Sequence, residues 1–130
     1  MVFIDTSALL ALADQKDKVY ETAKQILEKL LSQDEIIVLH NYIIVEAAAL
    51  IQRRLGFMEA ETVLRDAANF FIVWIDRELH EEATDYFKKY GKRKLSFVDC
   101  MSFVVMKERG ITKAFAFDED FKKAGFELCA

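Results

Sequence analysis

Residues 2–12 read VFIDTSALLAL, an apolar run that passes through one acidic residue into a helix-forming segment. Val2 to Asp5 has the composition of a short buried strand, and Thr6 and Ser7 are favourable residues for starting a helix. Asp5 is therefore expected at the carboxyl end of a buried strand. A carboxylate that leaves water without a partner costs several kcal/mol, so an aspartate at this position requires an explanation.

Three further acidic residues interrupt apolar segments in the same way. Glu46 lies between YIIV and AAALI, Asp99 between FV and CM, and Asp118 directly after AFAF. A chain that places four carboxylates in its most apolar segments is expected to gather them around a positive group. Because hard divalent cations prefer oxygen ligands, that group is most plausibly a divalent metal ion.

The order of the predicted elements indicates an α/β fold. Short, continuously apolar strands alternate with helices, which is typical of a parallel sheet covered on both faces. One helix is predicted to start with Asn41 as its N-cap and to stop at Gly56, and another to start at Ser96. The strands are predicted at residues 2–5, 36–39, 70–75 and 114–117, with a short edge strand at 126–129. Ligands gather beyond the carboxyl ends of such strands, where Asp5 and Asp118 are expected.

Length and composition restrict the class of protein. The chain has 130 residues, 53% of them hydrophobic, with 4 glycines and no proline, which predicts a single domain over residues 1–130. The net charge of −4 argues against binding nucleic acid by bulk charge alone. The longest apolar run, residues 70–75, is far below the roughly 20 residues that cross a membrane. With no signal peptide visible and two cysteines outside any C-x-x-C motif, a cytoplasmic protein is expected.

Each acidic residue also has a purely structural interpretation. Asp5 and Asp118 would suit helix N-caps, and Asp99 would suit the first turn of a helix, where negative charge is favourable. Glu46 would pair with Arg53 or Arg54. These alternatives stay open when the residues are taken singly, but they do not explain why all four interrupt apolar segments.

Four segments together resemble the PIN-domain family, specifically the small VapC-type toxin ribonucleases. The segments are VFIDTSALLAL (2–12), NYIIVEAAALIQRRLG (41–56), LSFVDCMSFVVMKERGI (95–111) and AFAFDEDFKKAGF (114–126). They span nearly the whole chain in the family's order. The resemblance implies a three-layer α/β/α sandwich with a central parallel sheet.

The resemblance also implies a site. It assigns catalysis and the binding of one or two Mg²⁺ or Mn²⁺ ions to Asp5, Glu46, Asp99 and Asp118. Ser7 is expected to order the site, and Asp120 to support or replace Asp118. Many family members carry threonine two positions before the last acid, where this chain has Ala116. Members are commonly homodimers, and many pair with a small antitoxin protein.

The predicted function is a divalent-metal-dependent endoribonuclease that hydrolyses single-stranded RNA. The alternative is a PIN-like module that binds RNA or protein without cleaving it. An aspartyl phosphatase or receiver domain is disfavoured because Thr6 and Ser7 occupy positions where those proteins need acids. The basic residues Arg53, Lys92, Arg93 and Lys94 are expected to contact RNA phosphates, or alternatively to form only a solvated surface. His40 and His80 are interpreted as structural or surface residues, and the aromatic residues between 57 and 74 as mostly core.

Overall fold

A computed structural model describes all 130 residues. Five strands alternate with seven helices. The strands are β1 (Val2–Ile4), β2 (Ile37–His40), β3 (Phe71–Val73), β4 (Lys113–Phe115) and β5 (Glu127–Leu128). The helices are α1 (Thr6–Ala13), α2 (Tyr20–Ser32), α3 (Asn41–Arg54), α4 (Phe57–Ala67), α5 (Arg77–Tyr90), α6 (Phe97–Arg109) and α7 (Asp120–Lys123).

The strands form one parallel sheet in the order β3-β2-β1-β4-β5. Every residue of β1 and β2 is buried. Because successive side chains of a strand point to opposite faces, helices must cover both faces of the sheet. The predicted α/β/α sandwich with a central parallel sheet is therefore confirmed.

The sheet order places β1 and β4 side by side at its centre. Ile4 lies opposite Phe115, and the Asp5 amide donates a hydrogen bond to the Phe115 carbonyl at 3.1 Å. The chain therefore leaves both strands at the same edge of the sheet. This adjacency, which the order of elements along the chain does not specify, brings Asp5 close to the segment that carries Asp118.

All five strands differ from their predicted ranges by one or two residues at an end, and two helix boundaries also differ. The N-cap of α3 is His40 rather than Asn41, because the His40 side chain accepts a hydrogen bond from the Ile43 amide. The Asn41 side chain instead accepts from the Ile75 amide at 2.6 Å and ties α3 to the segment after β3. Gly56 lies beyond the end of α3 and is the N-cap of α4, with a φ of 116° that only glycine adopts readily.

The prediction that the aromatic residues between 57 and 74 are mostly core is wrong for three of them. Phe57, Phe71 and Trp74 are 68%, 49% and 69% exposed. Phe71 lies on the edge strand β3, and Phe57 opens α4 directly after the glycine cap. These exposures could not be predicted from local patterns, because helix and strand positions at the margin of a sheet have only one covered side. No helix of the chain is long and apolar enough to cross a membrane.

Candidate metal and active site

Asp5 directly follows β1 and is almost completely buried, at 4% exposure. Its carboxylate caps α1 by accepting from the Ser7 amide at 3.3 Å. Burial, together with the nearby charge of Asp99, raises the pKa of Asp5 from 3.8 to about 7, although the hydrogen bonds from Ser7 oppose the shift. The capping interpretation is thus correct, but a cap does not require a buried carboxylate with so large a shift. Asp5 is held in a position where its charge is costly.

Ser7 links the Asp5 carboxylate to the segment that follows β4. The Ser7 hydroxyl donates to Asp5 Oδ2 at 2.9 Å, and Ser7 Oγ in turn accepts from the Phe117 amide at 3.0 Å. Phe117 directly precedes Asp118. The Ser7 side chain therefore connects the residue after β1 to the residue before Asp118.

Asp99 lies in the first turn of α6. Its side chain accepts from the Ser96 amide at 3.1 Å, and the Ser96 hydroxyl accepts from the Asp99 amide at 3.1 Å, which completes a capping box. Asp99 also adjoins the other acids. Burial raises its pKa first, and the charges of Asp118 and Glu46 raise it further. Since Asp99 likewise repels Asp5, it is the common neighbour of the other three predicted acids.

Asp118 and Asp120 complete a cluster with Asp99. One carboxylate oxygen from each of these three residues lies within 4.8 Å of the others. Burial, and next the charge of Asp120, raise the pKa of Asp118, which also accepts a hydrogen bond from the Asp120 amide at 2.9 Å. Asp118 is not the N-cap of α7, because that position belongs to Glu119 and has no side-chain hydrogen bond. Asp120 is thus drawn into the cluster by the turn that Asp118 forms.

Glu46 lies on α3 and is half-buried. It does not pair with Arg53 or Arg54, since the one ion pair in the chain joins the Met1 amino group to Glu35. Its charge instead acts on Asp99. The structure therefore groups Asp99, Asp118 and Asp120 tightly, with Asp5 and Glu46 close enough to repel Asp99.

The arrangement fits a hard divalent cation. Two oxygens bound to one such ion at 2.0–2.6 Å lie at most about 4–5 Å apart, so the 4.8 Å spread of the three carboxylates lies within reach of a single ion. The raised pKa values of Asp5, Asp99 and Asp118 also favour a bound cation, because they show that the negative charges are unfavourable in the metal-free chain. Lys123 lowers the pKa of Asp118 only in part, and none of these carboxylates forms an ion pair, so a bound cation would remove the remaining cost of the negative charge.

Comparison with known proteins identifies the family. The PIN-domain family model matches residues 2–127 of the chain. This chain belongs to the PIN-domain family. The match covers all seven helices, four of the five strands, the first residue of β5 and all of the acidic residues described above.

Among its relatives are VapC proteins. The chain is 34% identical over 128 residues to the 23S rRNA-specific endonuclease VapC20 of Mycobacterium tuberculosis, covering 97% of this chain and 95% of the relative. It is 29% identical over 133 residues to a VapC ribonuclease of Aquifex aeolicus, covering 98% and 94%. The crystal structure of M. tuberculosis VapC20, described as a sarcin-ricin loop cleaving toxin, superposes with a TM-score of 0.84 at 32% identity and covers 97% of this chain and 96% of that one. The predicted class, a VapC-type toxin ribonuclease, is confirmed.

The basic residues that were predicted to contact RNA are all exposed on the surface of this PIN domain. Lys92, Arg93 and Lys94 are exposed in the turn before α6, where Lys92 and Leu95 form an isolated bridge and Leu95 is buried. This turn immediately precedes the Ser96 cap of the helix that carries Asp99. Arg53 is exposed in the last turn of α3, seven residues beyond Glu46 and so about two helical turns away from it.

Two polar residues next to the elements that carry the acids were not among the predicted site residues. His40 is fully buried and hydrogen-bonded to both α3 and α6. Thr6, between Asp5 and Ser7, is buried, and its hydroxyl has no hydrogen-bond partner. A polar residue at the junction of a buried strand and a helix was the available signal in both cases.

One hollow of the PIN domain is separate from the acids. It has a volume of about 770 Å³, and none of the five clustered acidic residues lines it. Its walls come mainly from apolar side chains of α1, α2 and α4, including Leu9, Leu27 and Val63. The site at the carboxyl edge is instead lined by carboxylates and suits a charged ligand better than a small apolar one.

Proposed function

We propose that this PIN domain is a Mg²⁺- or Mn²⁺-dependent endoribonuclease and the toxin of a toxin-antitoxin pair. The observation that carries the metal dependence is the cluster of Asp99, Asp118 and Asp120, whose oxygens lie within 4.8 Å of one another. Buried Asp5 adjoins this cluster through Asp99. No histidine or cysteine belongs to it, and all-oxygen sites favour Mg²⁺ and Mn²⁺.

The acidic residues are proposed to have different roles in holding the metal ion. Asp99, Asp118 and Asp120 would hold one ion, while Asp5 and Glu46 would take part directly or through water, with room for a second ion. A bound ion of this type orients and acidifies water and neutralises charge on a phosphodiester. Ser7 keeps the Asp5 carboxylate oriented by its 2.9 Å hydrogen bond. The cation also offsets the repulsion between an acidic protein and polyanionic RNA.

The proposed substrate is a single-stranded loop of RNA. VapC20, with which the chain shares 34% identity over 97% of its length, is named for 23S rRNA. A ribosomal RNA loop is therefore the first substrate to examine. Sequence-specific recognition of RNA mainly uses unpaired loops, whose bases can be contacted individually.

Two partners are proposed from the family. VapC toxins pair with small antitoxins, and members commonly form homodimers. The exposed aromatic side chains Phe57, Phe71 and Trp74 offer apolar surface that a partner would cover on binding. Measuring the mass of the purified chain in solution by light scattering tests the homodimer directly.

The decisive experiment is cleavage of defined RNA by the purified chain, with and without Mn²⁺. We expect cuts in a ribosomal RNA loop only when the metal is present, located by mapping the new RNA ends. A structured RNA without that loop serves as the substrate control. Metal-dependent binding without any cut would favour the non-cleaving alternative, and cutting in excess EDTA would contradict the metal dependence.

Mn²⁺ is also expected to stabilise the folded chain. A ligand that binds only the folded state stabilises it by about 2.7 kcal/mol when present at 100 times its Kd. Millimolar Mn²⁺ should therefore raise the melting temperature by several degrees, and the same concentration of Mn²⁺ should raise it less in the Asp118→Asn variant. Equal shifts in the two proteins would place the ion elsewhere.

Neutralising Lys92, Arg93 and Lys94 together by glutamine is expected to weaken RNA binding at low salt. Each phosphate contact that is lost should reduce the slope of log K against log salt by about 0.7 for a single strand. The affinity of the active-site variant Asp99→Asn for RNA, measured with and without the three glutamines, gives the slope without cleavage. A triple change at exposed Lys16, Lys18 and Lys24 is the matched control, and an equal loss of slope there would contradict a local contact.

A further inference from the structure

His40 is the residue at which three elements of the site meet. It ends β2, its side chain caps α3, and its ring is hydrogen-bonded to α6. Its ring also packs against Phe3 of β1, with the ring centroids 5.7 Å apart. The elements that it contacts are those that carry Asp5, Glu46 and Asp99. No other polar side chain in the chain joins β2, α3 and α6 by hydrogen bonds.

The hydrogen bonds of His40 define the position of its proton. Nδ1 accepts from the Ile43 amide at 3.2 Å, so the proton of the neutral ring is on Nε2. Nε2 then donates to the Ser102 hydroxyl at 2.9 Å, and that hydroxyl donates to the Val98 carbonyl at 3.0 Å. Every polar atom of this chain of bonds is satisfied, and the order of donors and acceptors admits one arrangement.

The two ends of this chain of bonds lie beside acidic residues. Ile43 is three residues before Glu46 in α3, and Val98 and Ser102 flank Asp99 in α6. His40 and Ser102 are both fully buried. Burial lowers the pKa of His40 to about 3, so the ring stays neutral and adds no charge beside the acidic cluster. A neutral, fully bonded buried group of this kind constrains the packing of its neighbours.

We propose that His40 is a positioning residue, which through Ile43 and Ser102 holds the helix of Glu46 and the helix of Asp99 at the separation that the metal site requires. The proposal rests on the proposed function, because it takes these two acids to serve one site. His40 does not touch the substrate or the ion. It acts by fixing the relative placement of two helices that approach from different parts of the chain.

Two variants separate the two hydrogen bonds of the His40 bridge, the chain of bonds that runs from Ile43 through His40 to Ser102. His40→Asn keeps an N-cap for α3, since asparagine is among the best capping residues, but its shorter side chain does not reach Ser102. Ser102→Ala keeps the imidazole and its cap but removes the hydroxyl that links it to α6. The matched control is Ile51→Val, which trims a fully buried side chain of α3 and touches neither bond.

Both variants are expected to lower kcat for RNA cleavage and to weaken Mn²⁺ binding by about 10-fold, the lower end of what outer-shell partners of metal ligands contribute. KM for RNA should stay unchanged, because the RNA-binding surface is intact. The double variant should lose no more than the larger single loss, because both changes break the same bond. Ile51→Val should lower the melting temperature while leaving kcat and Mn²⁺ affinity at their wild-type values.

The measurements are single-turnover and steady-state cleavage at saturating Mn²⁺, and direct Mn²⁺ titration followed by electron paramagnetic resonance without RNA. Lower melting temperatures with wild-type kcat and Mn²⁺ affinity would show that the bridge is merely structural and would overturn the proposal. If wild type binds Mn²⁺ but does not cut RNA, the ribonuclease proposal fails alone, and the Mn²⁺ affinities of the variants still decide the role of His40. Absence of Mn²⁺ binding by wild type would overturn both.

Discussion

Replacing Asp99 by asparagine is expected to lower the rate of RNA cleavage roughly a thousandfold, because a metal ion supplies several kcal/mol of transition-state stabilisation and 1.36 kcal/mol corresponds to a factor of ten. Asp99 is the common neighbour of Asp5, Glu46 and Asp118, so its loss affects the whole cluster. The rate is measured under single-turnover conditions with saturating Mn²⁺. Mn²⁺ affinity should fall in the same variant.

The structural role of Asp99 requires a control. Its carboxylate accepts from the Ser96 amide in the capping box, and an asparagine oxygen can accept the same bond. Ser96→Ala removes the other half of the capping box and keeps the Asp99 carboxylate, at an expected cost of about 1 kcal/mol in the free energy of unfolding. That variant should cut RNA at nearly the wild-type rate. Loss of cleavage in Ser96→Ala with wild-type cleavage in Asp99→Asn would assign Asp99 to helix capping alone.

Replacing Asp5 by asparagine is expected to abolish cleavage and, without metal, to stabilise the chain at neutral and alkaline pH. The pKa of Asp5 is about 7 in the folded chain and 3.8 ordinarily, so the folded chain binds this proton more tightly than the unfolded chain. Its contribution to stability is fully present below pH 3.8 and is lost as the pH rises through 7. The loss amounts to on the order of 4 kcal/mol. Asparagine carries no such charge and can still accept from Ser7.

Urea unfolding in EDTA at pH 5 and pH 8 measures this effect. Buried His40, with a pKa of about 3 in the folded chain and 6.5 ordinarily, favours the higher pH in both proteins. Asp5→Asn should therefore be more stable than wild type at pH 8, and the gap between the two proteins should be larger at pH 8 than at pH 5. Asp85→Asn, at an exposed position of α5, is the matched control for removing one negative charge. A variant that is no more stable than wild type at pH 8 would mean that the Asp5 carboxylate is not strained. Mn²⁺ should restore much of the wild-type stability at pH 8.

These two expectations separate function from stability within one cluster. Replacing a residue that serves only the fold should make the protein less stable. Replacing Asp5 is expected to make the protein inactive but more stable, which is the pattern of a charge retained for binding a cation. Asp99 is intermediate, because one of its oxygens completes a helix cap while its charge belongs to the cluster.

The departure at Ala116 does not leave the edge of β4 disordered. Ala116 is buried, and the hydroxyl of Ser7 already accepts from the Phe117 amide at 3.0 Å. Asp118 in turn accepts from the Asp120 amide at 2.9 Å. The segment that presents Asp118 is therefore oriented by Ser7 from one side and by its own turn from the other, without a threonine side chain at position 116.

Local patterns in the sequence were sufficient to predict the fold class and the positions of two of the acids. Apolar runs followed by helix-starting residues specify parallel strands and helices, and a residue directly after such a strand must lie at the carboxyl edge. Asp5 and Asp118 were placed at that edge for this reason. Glu46 and Asp99 were also singled out because they interrupt apolar segments, but their helical positions alone do not show what they approach, and only the family resemblance assigned them to the same site.

Packing between distant parts of the chain determined which of the acids come together and which side chains are exposed. Whether Asp99 approaches Asp118 and Asp120 depends on how α6 crosses the sheet, and whether His40 links α3 to α6 depends on a contact between residues 40 and 102. Propensity and periodicity describe a few neighbouring residues, whereas these distances follow from the fit of whole elements against one another. The same holds for Phe57, Phe71 and Trp74, whose exposure depends on which element, if any, covers them.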